Sequence, residues 1–411
     1  MPSLRRLLEG YAHVLRVRNA LLLTLYLETE AFILAFAAWY IPMLTYRLGG
    51  AELVAAVRTL LAAIAIPLPV LSGLLSDRLG RVKVLSLSYA LILAFIALLL
   101  ASYRLELAAL LVTALVLGRL GVQLRNPVVS AMFMDSVPED AIGRVVSAVT
   151  VTTLAVSSAG SMALGLLMKA VGPGALLLST LAVYTLLGIT LLFMEETAAP
   201  RQSSAGRGPS LKERFTALVA VRGLGLPAAL FLAYMFIDSL TGSVCSPYFV
   251  PFLVDVQGAD EVTLALIYSI LPLGEAAVNL VSGPLVDRYN PASVLVLQTL
   301  ISSFSILLFA TAWPPLSYIF YIISSASSGL FNMGAIKLQA MLTTRESRAT
   351  FIGACSTLQA IARLIGPGIG LLLWRLNPRL SFIASSASSL LLVTPLLLTL
   401  NGKLSREASQ D

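Results

Sequence analysis

Apolar runs long enough to cross a bilayer recur along this chain from Asn19 to Leu400, and nothing else in it constrains the fold as tightly. A helix needs about 20 apolar residues to cross ~30 Å of hydrocarbon. Twelve stretches qualify: 20–41, 51–75, 82–102, 105–127, 145–168, 173–194, 226–250, 262–286, 292–313, 315–337, 349–374 and 379–400. Only 12% of the 411 residues are charged, about half the usual share of a soluble domain, too few to cover a water-soluble surface. A spanning β-barrel would alternate polar and apolar residues, with much weaker runs. The sequence therefore predicts an all-α polytopic membrane protein with twelve transmembrane helices.

Most of the 28 Lys and Arg residues fall in the N-terminal segment, the even-numbered loops and the C-terminal tail. Basic residues stay on the cytoplasmic side, so both termini are expected there, in a multi-pass protein of the cell membrane. The same bias accounts for the net charge of +7. No basic-aromatic cluster of the kind that binds bases accompanies it, so no nucleic acid partner is expected. Residues 1–18 carry Arg5, Arg6, Arg16 and Arg18, too many charges for a signal peptide. Leu4, Leu7, Leu8, Tyr11, Val14 and Leu15 recur there at helical spacing, which predicts an amphipathic helix on the membrane face. Cys245 and Cys355 both lie inside spans and His13 is the single histidine, so neither a disulfide framework nor a metal site is expected.

Residues 195–225 form the longest polar stretch, rich in Ser, Gly, Pro and charge, and read as a linker. They divide the chain into residues 19–194 and 226–400, six spans each, with a tail at 401–411. The halves repeat. Pro42 and Gly49 match Pro251 and Gly258, while Gly73, Asp77 and Arg78 match Gly283, Asp287 and Arg288, at nearly one offset. An even number of spans per half gives both halves one orientation, related by an axis along the membrane normal, with a substrate path between them.

The segment Gly73-Leu-Leu-Ser-Asp77-Arg78-Leu-Gly80-Arg81-Val-Lys83 resembles motif A of the major facilitator superfamily, between spans two and three. Gly283, Asp287 and Arg288 form its degenerate copy between spans eight and nine. The resemblance covers the whole chain and implies two pseudo-symmetric six-helix bundles. It also implies a gate in which Asp77 and Arg81 take part, with Asp135 at the inner end of span four as third member. Gly73 and Gly80 suit tight turns and close helix approach, and Arg78, Arg81 and Lys83 suit anionic lipid.

An ionisable side chain at the bilayer centre costs on the order of 3 kcal/mol and is a functional candidate by default. The predicted spans enclose six: Glu28 and Glu30 in span one, Arg119 in span four, Asp238 in span seven, Glu275 in span eight and Arg363 in span eleven. At ~1.5 Å per residue, Glu28 and Arg119 both lie about 12 Å from the inner boundary and Glu30 about 15 Å, so Arg119 is the expected partner of one of them. Glu28 and Glu30 are ~200° apart around the helix, and which faces the cavity stays open. Arg119 with Gln123 partly resembles the span-four arginine motif of proton-coupled members. Glu28, Glu30 and Asp238 are the candidate proton carriers. Tyr26, Glu30, Arg119, Gln123, Tyr234 and Asp238 are the candidate cavity residues. Among other aromatic residues, Trp39 and Tyr40 suit an interface belt. Gly366-Pro367-Gly368-Ile-Gly370 in span eleven reads equally as a hinge or as close packing.

These readings predict a secondary transporter with a small-molecule substrate, protons as coupling ion and no cofactor, working as a monomer as the resemblance implies. Export of a lipophilic or cationic compound is the first expectation, although span five, Ser157 to Gly165, lacks the Gly-Pro of the family's antiporter motif. Proton-coupled uptake of a sugar, organic acid or amino acid is the alternative, and a non-transporting sensor or scaffold the second alternative. No phosphate-binding loop and no nucleophile–base–acid set supports an ATP-driven pump or an enzyme.

Overall fold

A computed structural model describes residues 17–137, 142–197, 225–343 and 348–407. Residues 1–16 of the amphipathic helix expected at 1–18, linker residues 198–224 and tail residues 408–411 lie outside them, as does the side chain of Asp77. Among the described residues every regular element is helical, and eleven helices are long and apolar enough to cross a membrane. The remaining expected span, the first, is 16 residues long as Arg18–Ile33. A turn at Leu34–Phe36 separates it from Ala37–Ala65, which is two helices joined across a kink at Gly49 and Gly50. Span two ends as Leu68–Leu79, span three is Arg81–Leu105 and span four Ala108–Ser136. Ile142–Val171 forms span five, and Pro173–Leu187 with Ile189–Leu192 forms span six.

Span seven, Leu226–Cys245, continues through a short 3-10 turn into Phe249–Asp255. Spans eight and nine are Glu261–Arg288 and Pro291–Thr311. Span ten is Leu316–Ala326 and Ser328–Met341, and span eleven Arg348–Leu376. Span twelve, Leu380–Ser388, passes through a π turn at Ser389–Val393 into Thr394–Glu407. The last helix thus takes in residues 401–407 of the expected tail.

Three boundaries depart from expectation for one reason. Span four was expected to stop at 127 but carries Pro127 inside it and runs nine residues further. Spans two and eight were expected to stop before their Asp-Arg pairs, but Asp77 and Arg78 close the helix Leu68–Leu79, and Asp287 and Arg288 close Glu261–Arg288. Helices of membrane proteins tolerate interior proline and project past the hydrocarbon, where polar residues no longer carry a cost.

The chain forms two compact units. The first comprises Met1–Leu48, Ile64–Gly208 and Asp260–Ser269; the second comprises Gly49–Ala63, Pro209–Ala259 and Ile270–Asp411. In the first, span one packs on spans four, five and six, and span three lies along span four. Small residues make the second of these contacts possible: Ser88 donates to the Gly121 carbonyl at 3.0 Å. In the second unit, span seven packs along span eleven, and span nine meets spans ten and twelve. Its apolar core gathers Phe231, Tyr234, Leu295, Phe351 and Leu397. Leu186, Leu280, Leu372 and Leu391 stay exposed on the outside, as helices solvated by lipid require.

Candidate functional site

Glu30 is the most buried of the membrane carboxylates, its side chain 5% exposed, and it forms an ion pair with Arg125 of span four. This corrects the expected pairing with Arg119. Span four runs nine residues past its expected inner end, which shifts the depth of every residue on it. Arg18 and Ser136 line one surface hollow and so mark one level. Along their helices Glu30 lies about 18 Å from that level, Arg125 about 16 Å and Arg119 about 25 Å. Arg119 is half-buried above the pair, and Gln123 is half-buried with no side-chain hydrogen bond among the described residues.

Tyr26, one turn before Glu30, is fully buried and shares a 3.0 Å hydrogen bond with the hydroxyl of Tyr184 on span six. Tyr184 stacks on Tyr89 with ring centroids 5.1 Å apart. Tyr26 and Tyr184 both lie within electrostatic range of the carboxylate that Arg125 binds. Its Oε2 is buried and accepts no hydrogen bond among the described residues. Glu28, on the other side of the helix, accepts from Thr152 of span five at 2.6 Å.

The loop between spans two and three is held by charges from three elements. Arg81 forms an ion pair with Asp135 and donates to the Ala131 carbonyl at 3.0 Å. Both backbone amides that open span three, Arg81 and Val82, donate to the carboxylate of Glu196, at 2.9 and 3.1 Å. A carboxylate there satisfies two orphan amides and complements the helix dipole. Gly80, at φ 94°, makes the turn, and a β-carbon there would sit 2.6 Å from Glu196 Oε2. The sequence reading missed Glu196, and its only trace was an acidic pair, Glu195-Glu196, just past an apolar run. Replacing Glu196 with glutamine is expected to lower stability by about 1 kcal/mol, read as a melting shift of the purified protein. Replacing the adjacent Glu195, whose partner is Arg18 at 2.8 Å with both side chains well exposed, should change it far less.

In the second copy of the motif the charges are exchanged. Asp287 meets Lys337 of span ten at 2.8 Å, and Lys337 also donates to the Val286 carbonyl. Arg288 is exposed over the ring of Tyr289, and Gly283 faces open space. Arg78 is exposed at the end of its helix, and the side chain at Gly73 and Asp77 is outside the description.

Of the remaining candidates, Asp238 lines a cavity of about 370 Å³ inside the second unit, together with Arg363 of span eleven. Tyr234 does not line it; it is fully buried in the apolar core against Phe231 and Phe331. Trp39 and Tyr40 are buried too. Glu275 accepts from Asn332 of span ten at 3.2 Å, a link between helices. The glycine segment of span eleven is a packing surface: Tyr248 donates to the Pro367 carbonyl at 2.8 Å within an unbroken helix.

The family model of the Major Facilitator Superfamily matches residues 22–258 and 231–410. An uncharacterized MFS-type transporter, YhjO of Bacillus subtilis (strain 168), is 26% identical over 183 residues, 44% of this chain and 43% of that protein. The match therefore spans less than half the length of that relative. Solved structures share the fold at low identity. A point mutant of the nucleoside transporter NupG matches with TM-score 0.75 at 14% identity, over 92% of this chain and 99% of that one. A POT family transporter in complex with 5-aminolevulinic acid gives 0.70 at 14%, over 93% and 96%. A D-xylose-proton symporter gives 0.67 at 13%, over 93% and 97%. With a family model matched along nearly its whole length and the fold shared from end to end, this chain belongs to the Major Facilitator Superfamily.

Proposed function

We propose that the protein is a secondary transporter working by alternating access, coupled to protons through Glu30, and that it moves a small polar solute. The observation that carries this reading is the Glu30–Arg125 pair: a carboxylate 5% exposed, bound to one cation, with its second oxygen unsatisfied. Protonation of Glu30 removes half of the pair and frees Arg125 to leave span one. A change in packing between spans one and four is then tied to proton loading. Glu28 has a hydroxyl partner instead and plays a structural part. No covalent chemistry is involved: the function is transport, in a cell membrane, with both chain ends cytoplasmic.

A polar cargo is supported by the walls of the cavity at Asp238, where hydroxyl and amide side chains outnumber apolar ones. The fold neighbours named above, a nucleoside transporter and a xylose symporter among them, agree with such a cargo without carrying the argument. Export of a lipophilic cation is the second reading, favoured by the tyrosines around Glu30.

Reconstituted vesicles with an internal pH dye test the proposal. A panel of amino acids, pentoses, nucleosides and tetraphenylphosphonium is applied across an imposed pH gradient. One polar class is expected to move protons with it. Glu30→Gln should reduce that movement to the level of protein-free vesicles, and Glu28→Gln should retain most of it. Normal coupling in Glu30→Gln would refute the assignment, and proton movement evoked only by tetraphenylphosphonium would favour the second reading.

A further inference from the structure

The cavity of the second unit lies among spans seven, nine, ten, eleven and twelve, and Ile306 and Phe331 are the only large apolar side chains on its wall. Most of the wall is hydroxyl, and most of those hydroxyl protons are already used. The single Ser243 hydroxyl proton is shared between the carbonyls of Leu240 and Ala362, at 2.9 and 3.1 Å. Ser385 donates to the Thr241 carbonyl at 2.7 Å and Thr241 to that of Asp238 at 2.9 Å. Ser328 donates to the Ser325 carbonyl at 2.7 Å. A hydroxyl has one proton and two lone pairs, so a serine that gives its proton to the backbone offers only acceptors. The side-chain donors left on this wall are Arg363, the amides of Gln298 and Gln359, the hydroxyls of Ser246 and Ser303, and one of the mutually bonded hydroxyls of Ser302 and Ser324.

The two charges are arranged in the same sense. Asp238 and Arg363 lie within electrostatic range of each other, yet among the described residues they form no hydrogen bond or ion pair together. Charges inside a membrane protein are costly and ordinarily pair directly. Two that face one polar cavity and do not meet leave room for a molecule between them. The acceptor-rich wall and the carboxylate call for a donor-rich cation, and a guanidinium calls for a carboxylate, which it binds with two parallel hydrogen bonds. At about 370 Å³ the space is at the small end of the ~300–1,000 Å³ range of ligand sites.

We propose that this cavity is a binding site for a small zwitterion of amino-acid size, with its ammonium group at Asp238 and its carboxylate at Arg363. The proposal rests on the transporter reading above and names the class of its cargo. A neutral polyol would satisfy the hydroxyl wall and leave both charges unmet. A simple amine or a lipophilic cation would leave Arg363 unmet.

Full-length protein purified in detergent, without a membrane or gradient, allows binding to be read by itself. The probe is a mixture of glycine, L-alanine, L-serine and L-glutamine, compared with ethanolamine, glycolate and myo-inositol. The mixture is expected to raise the melting temperature by several degrees at saturation, and the three comparison solutes are not. The shift should vanish in both Asp238→Asn and Arg363→Gln. A shift of equal size with myo-inositol or ethanolamine, a shift that persists in either variant, or no shift at all would overturn the proposal. If either variant fails to fold, Ser328→Cys gives a second measurement with both charges intact, since the native Cys245 and Cys355 are buried. Its reaction with a methanethiosulfonate should be slowed several-fold by the mixture and not by myo-inositol; equal rates would overturn the proposal. Failure of binding falls on this cavity alone, whereas failure of proton movement falls on Glu30.

Discussion

Arg125→Met is expected to destabilise the first unit by roughly 3–5 kcal/mol, because it strands a buried carboxylate. Glu30 is 5% exposed, and Tyr26 and Tyr184, which lie within electrostatic range of it, have their hydroxyls bonded to each other. Neither ring can replace a guanidinium. Adding Glu30→Gln in the same chain removes the stranded charge at almost constant volume and should recover most of the loss. Melting of the detergent-solubilised single and double variants checks this. If Arg125→Met melts like the parent, or if the double variant is no better than the single one, the pair does not hold spans one and four together. Glu30→Gln alone should stay folded, since Arg125 is 16% exposed and its long side chain can turn toward water. Stability and proton coupling are thereby separated in two variants of one ion pair.

Gly370→Ala is expected to cost about 3 kcal/mol, the upper end of what overpacking usually does. A β-carbon at Gly370 would lie 2.1 Å from the carbonyl oxygen of Val244 and 2.6 Å from the ring of Tyr248. The first obstacle is backbone and cannot rotate away, so spans seven and eleven must separate. Separation would also strain the bond from Tyr248 to the Pro367 carbonyl. Gly368, two residues away on the same helix, has nothing within 4 Å of its own β-carbon position. Gly368→Ala is therefore the control and should leave the melting temperature nearly unchanged. Equal melting of the two variants would mean that this helix interface tolerates a methyl group and does not depend on close approach.

Much of this protein is legible without coordinates, for a definite physical reason. Hydrocarbon cannot satisfy a backbone amide, so each apolar run of sufficient length must be a helix. The spans, the repeat at Asp77 and Asp287 and the family resemblance follow from patterns local in sequence. Arg81 and Asp135, both named by the motif resemblance, form an ion pair in the structure.

Level along a helix is where local reading failed. Whether Arg119 or Arg125 meets Glu30 depends on where span four ends, and a helix that runs through Pro127 and past the hydrocarbon has no local end signal. Six residues separate the two arginines, under two turns, enough to pass the ion pair from one to the other. Glu196 illustrates a second kind of failure: it acts on amides of residues 81 and 82, and only the fold brings the end of span six to the start of span three.

The cavity of the second unit is the extreme case. Its serines are scattered over four spans, where each alone is an ordinary small residue for close helix packing. The order of residues along the chain suffices to tell which segments enter the membrane, how they repeat and which charges they carry. Which of those charges meet is settled only when the helices pack, because contact between them depends on rotation and depth, and neither is written in the hydropathy of a single segment.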